Sequence, residues 1–103
     1  MLKELFKSNI EKVDFTIETV REKYEEMYNI RKANPIYKLE LKAWLYHSES
    51  RHKNGNPPFR FEHYTHALGK QTLLDYIEFN LIDCDDLGGK EKAKQIVINY
   101  YSY

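Results

Sequence analysis

A single cysteine, Cys84, stands in 103 residues, which excludes an intramolecular disulfide and fits a reducing compartment. No apolar run approaches the roughly 20 residues of a membrane-spanning helix. Lys3, Glu4 and Lys7 interrupt what a secretory signal would need as its apolar core. A cytoplasmic protein with no membrane partner is therefore expected. Net charge is missing too, since sixteen Lys and Arg balance sixteen Asp and Glu. No global field then draws the chain onto nucleic acid or an anionic bilayer. Internal repeats, low-complexity tracts and long linkers are absent. So are a glycine-rich phosphate loop and a convincing nucleophile with its base. No cofactor is expected, and the reading leans away from an enzyme.

What the chain does have is enough apolar material to fold. Hydrophobic residues make up 42% and aromatic ones 15%, with nine tyrosines, a composition of globular rather than disordered protein. Its length suits one domain, 1–103, with one modest core. Residues 2–33 carry the clearest helical period: Phe6, Ile10, Val13, Ile17, Val20, Tyr24 and Met27 recur at spacings of four and three, the seam along which one helix packs on another. Ser8 and Glu11 match a capping box, and Asn34 before Pro35 ends the helix. A helix of about 25 residues runs about 37 Å, long against the ~13 Å radius of gyration of such a domain. The seam is thus a candidate surface for self-association into a homodimer as well as a core face.

The stretch 36–66 reads as an antiparallel β-hairpin, giving an α+β fold. Between Tyr37 and Leu45 the odd positions are apolar while Lys38, Glu40 and Lys42 are polar, the two-residue period of a half-buried strand. Residues 59–66 alternate similarly, and Asn54 with Gly55 marks a turn between the two runs. The competing reading is an all-α four-helix domain, because Asn34 is a good N-cap, Pro35 suits the first helical position, and Lys, Leu, Glu and Ala favour helix. On a helical wheel, however, the apolar residues of 36–47 scatter nearly all the way round. Two C-terminal helices follow, 70–82 with Leu73, Leu74, Ile77 and Leu81 on its apolar face, and 90–101 burying Ala93, Ile96, Val97 and Tyr100.

Charge is unevenly spread despite its zero sum. Residues 35–66 hold five basic and three acidic side chains, whereas 67–88 hold one basic and five acidic. Acids ahead of Lys90 suit the start of a helix. Basic and aromatic residues interleave at Arg51, His52, Lys53, Phe59, Arg60, Phe61 and Tyr64, a pattern in which cations track phosphates and rings stack on single-stranded bases. All four histidines, His47, His52, His63 and His66, fall in this stretch, and imidazoles converging from two elements form candidate metal ligands.

Other motifs stop short of chemistry. Glu40 and Lys42 lie two apart, as in metal-dependent nucleases, but the strand that should deliver an aspartate is missing. Asp83 to Gly88 starts like a calcium loop, yet Leu87 and Lys94 stand where oxygen ligands are required. Three function classes remain. They are a small non-enzymatic protein-binding or regulatory module with a protein partner, a nucleic-acid-binding protein using 51–66, and a small metal-dependent hydrolase or nuclease using the histidines. Segregated charge and many tyrosines put the first ahead. Lysine outnumbers arginine, and Asn, Ile and Tyr abound, as in AT-rich genomes, which suits a phage or plasmid accessory protein.

Overall fold

Asn34 decides the fate of the central stretch. Its side-chain Oδ1 accepts the Tyr37 N–H at 3.4 Å, and Pro35 follows at the first helical position. A helix starts there and runs uninterrupted to Lys53. The structure, a computed structural model that describes residues 15–30 and 34–102, contains among those residues five α-helices and one 3-10 turn. They are α1 (Ile17–Ile30), α2 (Pro35–Lys53), α3 (Phe61–Ala67), α4 (Lys70–Glu78), the turn Asp85–Leu87 and α5 (Lys90–Tyr100).

The expected hairpin is therefore corrected. Residues 36–47 are the interior of α2 and most of 59–66 is α3, with no strand among the described residues, so the fold is all-α. The alternation misled because α2 is the central helix, packed against α1, α3, α4 and α5. A helix surrounded in this way has no polar face to display. Leu39 and Ala43 fall on one side of it and Leu41, Trp44 and Ser48 on another, and all five are buried. Scatter round the wheel was the mark of that position. Lys38 and Lys42 are no solvated strand face either. Their stems are largely buried, and their Nζ atoms reach Asp86 at 3.9 and 3.2 Å and lie 5.2 Å from the Tyr28 ring centroid. That arrangement draws α1, α2 and the 3-10 turn together.

Helix ends set the remaining geometry. After α2, Gly55 adopts φ +77°, its N–H bonding the His52 carbonyl and that of Asn56 the Arg51 carbonyl. This is a left-handed stop that glycine accommodates without steric cost. The turn expected at Asn54 and Gly55 is present, as a helix cap. Residues 56–60 then run back along α2, pinned where Trp44 Nε1 donates to the Phe59 carbonyl at 2.8 Å. Trp44 is fully buried, and Phe61 packs edge-on against both it and Tyr37. Helix α4 ends at Glu78, short of the expected residue 82. The last helix, expected over 90–101, ends at Tyr100.

The seam proposed on the N-terminal helix divides. Phe6, Ile10 and Val13, with the capping box at Ser8, lie outside the described residues. Ile17 and Val20 are buried in the protein's own core, with Tyr24 and Met27 packed half-buried against it. Each fully buried Leu, Ile or Val side chain contributes about 1.5–3 kcal/mol relative to exposure.

Candidate functional site

Two regions gather chemistry, and the first is the histidine-rich stretch singled out by sequence. His47 lies on α2, where the returning segment 56–60 and α3 bring rings against it. Its imidazole stacks with Phe59 (centroids 5.5 Å apart, planes at 23°) and with Tyr64 (4.8 Å, 27°). The Arg51 guanidinium lies over the Phe59 ring at 4.2 Å and its Nε donates to the Pro57 carbonyl at 2.6 Å. Arg51, Phe59, His47 and Tyr64 thus form a stack that locks the returning segment to α2.

This geometry redirects the candidate nucleic-acid residues. Phe61 and Tyr64 are buried, and the Phe59 ring is engaged by His47 and Arg51. Arg60 lies 4.7 Å over the Phe15 ring. Of the seven residues, His52 and Lys53 are exposed at the end of α2, and Phe59 and Arg60 are exposed while held in ring and cation contacts within the protein. The stacking platform that bases require is spent on internal packing.

The four histidines do not converge. His47 is in the stack, His52 at the end of α2, and His63 and His66 on exposed positions of α3. Among the described residues, no group of three or more His, Cys, Asp or Glu side chains is placed to hold a metal ion. Burial, and after it the Arg51 charge, holds the His47 pKa below its ordinary value, favouring the neutral imidazole. Burial, with Tyr76 beside it, pushes the Tyr64 phenol well above the usual tyrosine range.

The second region was not anticipated as a site. Helix α4 ends in a Schellman motif: the Asn80 N–H bonds the Ile77 carbonyl at 3.2 Å and the Leu81 N–H bonds the Tyr76 carbonyl at 2.9 Å, with Asn80 at φ +58°. Asn tolerates this left-handed conformation better than other residues bearing a Cβ. Its neighbours Phe79 and Leu81 remain 66% and 39% exposed. Leu81, predicted as part of a buried face, instead forms the ridge between two open clefts.

Leu81, Ile82 and Asp83 line both clefts. One, about 410 Å³, continues over Ile77, Cys84 and Asp85. The other, about 340 Å³, reaches across Leu45 and Tyr46 of α2 to Tyr24 of α1. Tyr46 is braced from below by an edge-on contact with Tyr76, centroids 5.1 Å apart.

Charged groups around these clefts differ in whether they are already paired. Arg21 binds Glu49 through two hydrogen bonds of 2.7 and 2.8 Å, and this holds the Glu49 carboxyl below the usual range. Lys42 is directed to Asp86. Lys90 Nζ donates to the Glu78 carbonyl at 3.0 Å, and Lys94 pairs with the Glu78 carboxylate. Asp83 accepts the Asp85 backbone N–H at 3.0 Å. No lysine or arginine among the described residues forms an ion pair with Asp83 or Asp85, and both are exposed.

The available signals for this region were Asn80 between two large apolar residues and the acidic run after it. Comparison of the chain with protein-family models, with curated proteins and with solved structures found no match.

Proposed function

We propose that this chain is a small non-enzymatic protein-binding module that receives its partner on the ridge and clefts around Leu81. The observation that carries the reading is the Asn80 turn, which holds Phe79 and Leu81 out into solvent beside two adjoining clefts on a helical scaffold. Single exposed apolar residues are commonplace, but two large ones flanking an ordered turn next to two concavities of mixed polarity make an anchor-and-pocket surface of the kind where interface energy concentrates. The scaffold beneath is rigid in the required sense. Ile77 and Ile82 are buried, and Tyr46 and Tyr76 tie α2 to α4.

Nucleic-acid binding by 51–66 is the second reading. It is left with cations such as Lys53 and with one partly exposed ring, Phe59, already in contact with His47 and Arg51, so it would act mainly through phosphate contacts and be strongly salt-dependent. Self-association through α1 is less well supported among the described residues. Ile17 and Val20 are committed to the core, and the outward positions include Arg21, Glu22, Lys23, Glu25 and Glu26.

The test is selection of a displayed random 16-residue peptide library on immobilised wild-type protein, counter-screened against a Phe79→Ser, Leu81→Ser double variant shown by circular dichroism to be folded. Peptides that bind wild type and not the variant are expected. A selection yielding none, or only peptides that bind both proteins equally, would overturn the reading.

A further inference from the structure

We infer that Asn54 is a site of spontaneous covalent modification: it deamidates through a cyclic imide formed with Gly55, and the closed end of α2 sets the rate.

The sequence narrows the choice to this one residue. Deamidation needs the backbone nitrogen after the asparagine to act as nucleophile, with nothing bulky crowding it. Of the seven asparagines, Asn34 and Asn56 precede Pro35 and Pro57, which have no N–H to give up. Asn9, Asn29, Asn80 and Asn99 precede Ile10, Ile30, Leu81 and Tyr100, whose side chains hinder the approach. Asn54 alone precedes a glycine, which has no Cβ to obstruct ring closure. Both Asn54 and Gly55 are exposed, and no atom beyond the chain neighbours lies within 4 Å of where a Gly55 Cβ would stand. The ring has room to form, and water can reach it.

Water is the one co-reactant the step requires. The Gly55 nitrogen bonds to Asn54 Cγ, the Cγ–Nδ2 bond breaks, and Nδ2 leaves as ammonia with the proton that the Gly55 nitrogen sheds. Water then opens the ring. Addition at Cγ gives an aspartate, and addition at the main-chain carbonyl gives an isoaspartate, in which the backbone runs through Cβ.

The native turn keeps the reacting groups apart. The Gly55 N–H is bonded to the His52 carbonyl at 3.0 Å, and Asn54 Nδ2 donates to the Ser50 carbonyl at 3.1 Å. With Asn54 at ψ 12°, its Cβ and the Gly55 nitrogen are widely separated about the Cα–C bond, whereas the ring requires them nearly eclipsed. Reaction therefore waits for the last turn to open, which helix ends do at far lower cost than global unfolding. Two hydrogen bonds of ordinary net strength leave the turn open about one part in ten to one part in a hundred of the time.

Either product loses the donor to Ser50 and adds a carboxylate at a helix end where carbonyls already concentrate negative charge. The isoaspartate also lengthens the main chain at the turn, whose next amide, the Asn56 N–H, is bonded to the Arg51 carbonyl at 2.9 Å. That bond starts the returning segment along α2, so the modified protein holds residues 56–60 less firmly.

The experiment keeps the full-length protein, and a synthetic peptide of residues 50–60 as the reference without a turn, in mildly alkaline buffer at body temperature and follows conversion by mass spectrometry of tryptic fragments. In the folded protein Asn54 is expected to convert before any other asparagine, about ten- to a hundredfold more slowly than in the peptide. Conversion first at another asparagine, or slowing far beyond this range, would overturn the site; a rate equal to the peptide's would overturn the closed turn as its control. Converted protein, separated by ion exchange on its extra negative charge, should be cut by trypsin after Arg60 several-fold faster than fresh protein. An Asn54→Gln protein aged alongside should keep its initial cleavage rate, because the longer side chain closes the corresponding ring far more slowly. Equal cleavage of converted and fresh protein, or equal acceleration in the aged Asn54→Gln protein, would overturn the loosening of the segment by this reaction.

Discussion

Replacing Trp44 tests the architecture most directly, because the chain's one tryptophan is fully buried on α2 and also holds the returning segment through its bond to the Phe59 carbonyl. Truncation to Ala removes the whole indole from a packed site and is expected to cost about 3–5 kcal/mol. Against a total stability of about 5–15 kcal/mol, that is enough to leave much of the population unfolded at the low end. Trp44→Phe keeps a ring against Phe61 but deletes the N–H donor. One hydrogen bond is worth about 1 kcal/mol net, and the lost volume raises the expected total to about 1–3 kcal/mol. For a domain of this size each 1 kcal/mol moves Tm by roughly 4–8 °C. Urea titration followed by circular dichroism measures both variants. In the Phe variant, tryptic cleavage after Arg60 should also accelerate more than global unfolding explains, because the strap has lost its pin. The wild-type tryptophan should emit at short wavelength and resist iodide quenching. An Ala variant destabilised by less than about 2 kcal/mol, or a wild-type tryptophan open to iodide, would refute α2 as the central helix.

Three further perturbations probe separate features. At Asn80, with φ +58°, Gly should be neutral or slightly stabilising and Ala should cost roughly 1–2 kcal/mol, measured by thermal unfolding; equal stability of the two variants would count against the left-handed cap. His47 is held neutral by burial and Arg51, so its folded pKa lies below that of the unfolded chain, about 6.5. The stability it contributes is complete above that value and is lost as pH falls from there toward the lowered folded pKa. His47→Phe, which retains a stacked ring without a proton to gain, should therefore show a smaller drop in urea midpoint than wild type on going from about pH 7 to pH 5, and identical drops would exclude the stack as the source. Burial pushes the Cys84 thiol up against the opposing pull of Lys42; because the thiolate is the nucleophile, iodoacetamide should modify native protein far more slowly than denatured protein, whereas similar rates would place Cys84 at the surface.

How the sequence misrepresents the fold follows from where α2 sits. Amphipathic period identifies helices that have one wet side. α1 and the C-terminal pair largely obey it, and Ile17, Val20, Leu73, Ile77, Ala93 and Val97 are buried as their spacing implies, whereas Leu81 and Tyr100, expected on the same faces, are exposed past or at the helix ends. α2 has neighbours on four sides, so its apolar residues surround the axis, and positions 37–45 then happen to alternate. The decisive local signal was the cap, Asn34 with Pro35. Capping chemistry depends on a few backbone groups and survives whatever the tertiary surroundings do to the periodic pattern, so it should outweigh alternation when the two conflict. The second local signal, Asn54 with Gly55, fits a helix stop as well as a hairpin turn, because both need a positive φ.

The candidate site was hidden for a different physical reason. Leu81 continues the spacing of Leu73, Leu74 and Ile77, and an unbroken helix would have buried it with them. Asn80 turns the backbone into the left-handed region one residue earlier, and the same apolar side chain becomes an exposed ridge. The meaning of the acidic run likewise depends on folding. Five carboxylates close in sequence look equivalent, yet Lys94, Lys38 and Lys42 arrive from other helices and Gln71 from within α4, leaving Asp83 and Asp85 without a direct ion pair, though Lys42 is near enough to feel both charges. Those pairings span up to 48 residues, as between Lys38 and Asp86, beyond the reach of any local pattern. Conversely, the conspicuous aromatic and basic stretch 51–66 is largely satisfied internally once α2 and the returning segment meet. A cluster of chemically capable residues marks a functional surface only to the extent that the fold leaves those residues without partners, and most of the aromatic and basic residues of 51–66 fail that criterion.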